Sequence, residues 1–247
     1  MAGFLLVTDL RRQLQRVVTF GGRLWPLALA LCLALCPTVG SADSQASPGT
    51  PRVRIAVLGD SLSAGYGLDP AEAFPARLEK ALCERGHAVE VLNAGVSGDT
   101  TAGGLARLDW TLAAEPDLVL LELGGNDALR GIDPESVEQN LDGILVALEK
   151  RQVRVLLAGM RAPRSLGAGY EKSFNAVFPR LAERHQVAFY PFFLAGVAGN
   201  PAFNQPDGIH PNAAGVAEIT RRILPLVEQL VVEIHQGGIR PNDRKPD

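Results

Sequence analysis

The sequence predicts a three-layer α/β/α domain around a five-stranded parallel sheet. Two observations lead there. From residue 53 onward, short apolar runs of strand length alternate with longer amphipathic stretches. Strand–helix alternation of this kind implies a parallel sheet covered on both faces, and the run 118–123 is apolar at all positions but one.

The elements follow in order. Residues 53–58 (Val-Arg-Ile-Ala-Val-Leu) read as the first strand. Residues 71–85 read as a helix, with Phe74, Leu78, Ala81 and Leu82 on one face. A second strand is expected at 89–92 and a helix at 101–114. Residues 118–123 (Leu-Val-Leu-Leu-Glu-Leu) form a buried type of strand. The helix at 134–150 begins on Asp133 as N-cap, with Pro134 at its first position. A fourth strand falls at 153–158, a helix at 170–185, a fifth strand at 187–190 and a long last helix at 212–235.

The chain ends differ from this domain, which is expected to span 52–234. Residues 1–23 carry Arg11, Arg12, Arg16 and Arg23, and an apolar run follows over 24–36. Gly40, Ser41 and Ala42 come next. Basic, apolar and small-residue segments in that order are the mark of an export signal over 1–42, cleaved near Ser41 or Ala42. The expected destination is the periplasm or the exterior; an uncleaved anchor is one rival reading and a lipoprotein a weaker one, since Leu35 precedes Cys36 where a small residue is wanted. Residues 43–51 read as a flexible linker, and 235–247, rich in Gly and Pro, as a disordered tail.

Composition narrows the function classes. The whole chain is 47% apolar and 21% charged, a globular balance. Without Asp9 and the four leader arginines, 20 basic face 26 acidic residues, a net of −6. A mildly acidic domain lacks the footprint of a nucleic-acid binder. Cys32 and Cys36 lie in the leader, so Cys83 stands alone in the domain and no intradomain disulfide forms. Its helical surroundings predict a buried structural thiol. No His or carboxylate cluster has metal-ligand spacing, and no cofactor is expected.

In a parallel sheet the ligand crevice lies beyond the carboxyl ends of the strands. The loops there are chemically loaded. After the first strand comes Gly59-Asp60-Ser61-Leu62-Ser63-Ala64-Gly65; after the second, Asn93-Ala94-Gly95-Val96-Ser97-Gly98-Asp99; after the third, Gly124-Gly125-Asn126-Asp127. Asp207-Gly208-Ile209-His210-Pro211-Asn212 leads into the last helix. A serine hydroxyl attacks well only when a base removes its proton. Histidine titrates near neutrality, and a carboxylate on its other nitrogen holds the right tautomer. Asp207 and His210, three residues apart, meet within one turn. An oxyanion needs preformed donors, which glycine-loop N–H groups and an Asn side chain supply. Each loop alone is also an ordinary turn; the coincidence of complementary parts is what points to acyl transfer.

At these residues the sequence resembles the GDSL/SGNH hydrolase family, over roughly residues 53–230. The likeness rests on the segments Gly59 to Tyr66, Ser97 to Thr100, Gly103 to Leu108, Glu122 to Asp127, Leu129 to Gly131 and Asp207 to Asn212. It is nearest to the periplasmic thioesterase, lysophospholipase and arylesterase branch. The resemblance implies a flavodoxin-like SGNH hydrolase fold. It implies Ser61 as nucleophile, His210 as general base and then acid, and Asp207 as its orienting group. It implies an oxyanion hole of the Ser61 and Gly98 N–H groups and the Asn126 side chain, with Gly95 as the competing donor. In this family the His also leans on a backbone carbonyl, which implies that Asp207→Asn is milder than its counterpart in proteases.

Around the site, Leu62, Ala162, Pro163 and Ile209 are the expected substrate-binding residues, with Arg161 in the same loop as Ala162. Phe192-Phe193-Leu194 is a candidate apolar rim near His210. Ser63 ranks behind Ser61 as attacker. Asp60 and Asp127 read as structural hydrogen-bonding groups, and His87 and His185 as surface residues. The substrates expected are small acyl esters, acyl thioesters and lysophospholipids, with no stable protein partner. Polysaccharide O-deacetylation is a second reading, weakened by few aromatics. A noncatalytic binding protein on the same fold is a third; Gly59, Gly65 and Gly67 lack the spacing of a phosphate-cradling loop.

Overall fold

A computed structural model describes residues 52–237. The leader (1–42), the linker (43–51) and the tail from 238 lie outside the described residues. The five expected strands form one parallel sheet: β1 (Val53–Gly59), β2 (Val89–Gly95), β3 (Leu118–Glu122), β4 (Arg154–Ala158) and β5 (Ala188–Tyr190). Their order is β2-β1-β3-β4-β5. β1 pairs with β2 on one side and β3 on the other, in register from Gly59 opposite Gly95 and Glu122. The three loops named above therefore leave the same edge side by side.

Burial explains the strand sequences. β3 is buried at every residue, and Leu118, Val119, Leu120 and Leu121 are fully inaccessible. Each such side chain contributes on the order of 2 kcal/mol on leaving water. The edge strands β2 and β5 are only partly covered.

The helices are α1 (Ser61–Ala64), α2 (Phe74–Glu84), α3 (Thr101–Ala106), α4 (Leu108–Leu112), α5 (Gly125–Leu129), α6 (Pro134–Lys150), α7 (Ala168–Asn175), α8 (Val177–His185) and α9 (Ala213–Gln236). α2 packs on α9, while α6 packs on α3 and α8. Asp133 caps α6 through Glu135 N–H as expected, and Asn212 caps α9 through Gly215 N–H.

Three expected helices differ, each for a local reason. The helix expected at 71–85 starts only at Phe74, after a separate turn Pro70–Glu72. The ring of Pro75 would strike the carbonyl of residue 71 in a continuous helix. In the same way Pro179 excludes a helical carbonyl at 175, and the segment 170–185 divides into α7 and α8 at Ala176. The segment 101–114 divides at Arg107. Its guanidinium donates to Ala94 O (2.7 Å) and Gly59 O (2.9 Å) and pairs with Asp99 (2.5 Å), binding the helix break to the ends of β1 and β2. α9 runs to Gln236, past the expected start of the tail at 235.

Cys83 is exposed, not buried as its surroundings predicted. α2 buries Phe74, Leu78 and Leu82, and residue 83 turns away from that stripe. His87 and His185 are not free surface residues: each is largely covered and lies 2.9 Å from a carboxylate, Glu228 and Asp142 respectively.

Candidate active site

The serine loop is shaped by contacts at its root. A Cβ on Gly59 would stand 2.2 Å from Ser63 Oγ and 2.6 Å from Glu122 Oε2, so only glycine ends β1 here. Asp60 caps α1, its Oδ1 accepting from Leu62 N–H at 2.9 Å. Ser61 opens α1 with Oγ 2.9 Å from His210 Nε2. His210 Nδ1 lies 2.7 Å from Asp207 Oδ2. Nδ1–H donating to the carboxylate leaves Nε2 free to accept from the serine hydroxyl.

Asp207 is fixed in turn. Its Oδ1 accepts from the N–H groups of Ile209 (2.9 Å) and His210 (3.0 Å). The His210 side-chain hydrogen bond, aided by these two, lowers its carboxyl to about 2. The partner of Nδ1 in the structure is this carboxylate rather than a backbone carbonyl. Tyr66 stands beside the imidazole, ring centroids 4.6 Å apart. Gln205 holds both sides of that contact: its N–H donates to His210 O (2.7 Å), its side chain to Tyr66 O (2.7 Å) and Pro211 O (3.0 Å). Neither Tyr66 nor Gln205 was legible as a site residue, because their partners are brought by folding.

The donors expected for an oxyanion stand in different surroundings. Asn126, on α5, lines the same cavity as Ser61, and one amide hydrogen is spent on Asp60 Oδ2 at 3.1 Å. That bond orients the amide and leaves its second N–H available. Ser61 N–H has no acceptor among the described residues, since Leu62 N–H takes the Asp60 cap. In the second loop, Gly95 N–H is engaged by Asn93 Oδ1 at 3.0 Å, and a Cβ there would meet Ala64 N at 2.4 Å. Gly98 has φ +86°, and its carbonyl accepts from Arg130 at 2.9 Å. The Gly95 N–H is thus committed to Asn93, and neither Gly95 nor Gly98 is among the residues lining the cavity.

Behind the serine lie two buried carboxyl groups. Burial raises Asp60 to about 6, against the opposing bonds from Leu62 and Asn126. Glu122 is fully buried; desolvation and the neighbouring Asp60 push it well above the carboxylate range. Its Oε2 accepts from Ser63 Oγ at 2.6 Å, so this second hydroxyl is committed to the core and does not face His210. Asp127, also buried, accepts from Thr101 N–H (2.9 Å) and Oγ1 (2.7 Å), fastening α3 to the third loop.

A cavity of ≈ 360 Å³ opens at Ser61, Asn126 and His210. Leu62, Ala162, Pro163 and Ile209, the expected substrate-binding residues, all line it. So do Phe192 and Leu194, whereas Phe193 is buried against Phe74 in the core. The expected apolar rim is thus formed by alternate residues. Ala162 is held by its N–H on Asn175 Oδ1 at 2.9 Å. Among the described residues no group of His, Cys, Asp or Glu is arranged to hold a metal ion.

The GDSL-like lipase/acylhydrolase family description fits residues 57–217. The chain belongs to this family. Its relatives include esterase TesA of Pseudomonas aeruginosa, 40% identical over 206 residues, which are 83% of this chain and 98% of the relative. Thioesterase 1/protease 1/lysophospholipase L1 of Escherichia coli K12 is 43% identical over 157 residues, 63% of this chain and 74% of the relative. The crystal structure of AlinE4, an SGNH-hydrolase family esterase, superposes with TM-score 0.62 at 47% identity, covering 72% of this chain and 96% of that one. The five-stranded parallel sheet of this GDSL-like protein is thus the SGNH-hydrolase fold expected from sequence. Among its described residues no helix is long and apolar enough to cross a membrane.

Proposed function

We propose that this chain hydrolyses carboxylic ester and thioester bonds through an acyl-Ser61 intermediate. The observation that carries the reading is the continuous relay Ser61 Oγ, His210 Nε2, His210 Nδ1, Asp207 Oδ2, with both links under 3 Å at the mouth of an apolar cavity. Membership of an acylhydrolase family, and relatives named esterase and thioesterase, support it.

In this mechanism Ser61 Oγ attacks the acyl carbon and its proton passes to His210 Nε2. Asp207 holds the imidazole and stabilises the imidazolium. Ser61 N–H, Gly98 N–H and Asn126 Nδ2 receive the oxyanion, each donor worth roughly 3 kcal/mol in comparable sites. His210 then protonates the departing alkoxide or thiolate. Water attacks the acyl-enzyme with His210 as base, and Ser61 leaves with the proton returned. Leu62, Ala162, Pro163 and Ile209 hold the acyl portion. The site defines the bond broken more than the group attached, so aryl esters, acyl thioesters and lysophospholipids are all candidate substrates.

The leader composition of residues 1–42 supports an exported enzyme, with 43–51 as linker and 52–234 as the catalytic domain. The test of the catalytic reading is fluorophosphonate labelling of residues 43–247 followed by peptide mapping. A single adduct on Ser61, lost in His210→Ala, is expected. A folded protein that takes no adduct, or takes it on Ser63, overturns the assignment.

A further inference from the structure

Ser61 and His210 come from opposite ends of the domain, and one side chain outside the relay ties their segments together. Residues 200–212, which carry the base, lie outside every strand of the sheet. The bonds that shape this segment are short-range: Asn204 donates to Val197 O and Asn200 O (both 2.8 Å), and Asn212 to Ala202 O (3.0 Å). They fix its internal form but not its distance from Ser61. Gln205 reaches across 139 residues of sequence, its Nε2 donating to Tyr66 O at 2.7 Å. Among the described residues, this and the Ser61–His210 contact are the only hydrogen bonds that join residues 200–212 to residues 59–67.

The bonds close a ring. Ser61 O accepts from Tyr66 N–H (3.1 Å), Tyr66 O from Gln205 Nε2 (2.7 Å) and His210 O from Gln205 N–H (2.7 Å), while His210 Nε2 meets Ser61 Oγ at 2.9 Å. The second hydrogen on Gln205 Nε2 goes to Pro211 O at 3.0 Å, so both are committed and the amide has one orientation. Its Oε1 lies close against Gly67, where a Cβ would stand 2.4 Å away. The ring of Tyr66, whose carbonyl is the acceptor, packs on the imidazole. Reacting groups work only when held within about 0.5 Å of their productive geometry, and roughly 1 Å of misplacement costs on the order of 10²-fold.

We infer that Gln205 is a positioning residue for the reaction: by holding Tyr66 O and Pro211 O on one amide, it sets the approach of His210 to Ser61. The inference rests on the hydrolase reading above and deepens it. Gln205 is half-buried and is not among the residues lining the cavity, so it acts through the backbone beside each catalytic group rather than on substrate. Its loss slows proton transfer between Ser61 and His210 and leaves ground-state binding as it was.

The experiment measures kcat and KM on a p-nitrophenyl ester, and the second-order rate of fluorophosphonate labelling, for the parent chain, Gln205→Met and Gln205→Glu. Met matches the length of Gln without a donor; Glu keeps its shape as an acceptor only. Both retain the backbone bond to His210 O, so the side-chain tie to Tyr66 and Pro211 is what is cut. kcat is counted per serine labelled at completion, which removes unfolded molecules from the comparison. In both variants kcat and the labelling rate are expected to fall together by more than about fivefold, with KM within about twofold of the parent. Gln205→Asn, an amide one methylene short of Tyr66 O, replaces a variant that does not fold, with the same expectation. A smaller fall in kcat overturns the inference even where the Tm drops, because Gln205 then serves stability alone. A fall in kcat with the labelling rate unchanged overturns it as well, since both reactions use the Ser61–His210 contact. The hydrolase reading fails separately, if Ser61→Ala still turns over the ester at the parent rate.

Discussion

Asn126 donates its side-chain N–H to Asp60 Oδ2 across 3.1 Å, and so ties the loop after β3 to the loop that carries Ser61. Asp60 thereby serves two masters, since its other oxygen caps α1 at Leu62. The carboxylate fixes the orientation of the Asn126 amide, the proposed side-chain donor to the oxyanion.

Asp60→Asn is therefore expected to damage catalysis while the protein stays folded. Asn keeps one acceptor for Leu62 but turns an NH₂ group toward the NH₂ of Asn126. The Asn126 amide must flip, which withdraws a donor from the oxyanion. The expected loss is on the order of 10² in kcat, comparable with removing one such donor. Steady-state kinetics on a p-nitrophenyl ester, with a thermal melt as control, check it; an unaltered kcat would remove Asn126 from the oxyanion hole.

The same carboxyl governs stability with pH. Asp60 is raised to about 6 from an ordinary 3.8, and Glu122 is raised as well, both by burial. Between 3.8 and about 6 the folded state binds more protons at Asp60 than the unfolded chain does. Stability contributed by this group is thus complete below that window and declines as pH rises through it. The Tm of Asp60→Asn relative to the parent should accordingly increase from about pH 4 to about pH 7. A difference that is constant or shrinks over that range contradicts the burial of a charged Asp60.

Asp207→Asn is expected to be at least as harmful as Asp207→Ala. Asn retains an acceptor for the Ile209 and His210 N–H groups, but places an NH₂ against Nδ1, which favours the imidazole tautomer protonated on Nε2. That tautomer cannot take the serine proton. The loss should approach the roughly 10⁴ of the equivalent change in serine proteases, since the partner of Nδ1 among the described residues is the Asp207 carboxylate. Measuring kcat for both variants decides it, and an Asn variant within tenfold of the parent would show that the carboxylate is dispensable.

In the proposed mechanism Ala162 bounds the room available to the acyl chain. It lines the cavity, is nearly buried, and is pinned by Asn175. In the parent, kcat/KM on a series of p-nitrophenyl esters should rise about threefold to fourfold per methylene until the wall is filled, following about 0.8 kcal/mol per buried CH₂. Ala162→Leu is expected to end that rise at a shorter chain. Parallel profiles for parent and variant would place the acyl chain elsewhere.

Much of the fold was legible because burial on both faces leaves a local trace. The apolar run 118–121 marks β3 without reference to anything else, and Asp133-Pro134 marks the start of α6. Helix breaks were less legible. The division at Ala176 follows from Pro179, a local cause, whereas the division at Arg107 serves acceptors at Gly59 and Ala94 that only the sheet brings near. The exposure of Cys83 depended on which stripe of α2 met the core.

The site divides along the same line. Asp207 and His210 stand three residues apart, so their pairing is local and the residue types alone determine it. Ser61 and His210 are 149 residues apart. Their residue types and strand-end positions made them candidates, but closing 2.9 Å between them required the order β2-β1-β3-β4-β5 and the pinned segment around Gln205. The partners of Ser63 and Asn126 were likewise decided only in three dimensions. A side chain announces which bonds it is able to make; which of those it makes depends on what the packed core leaves within reach.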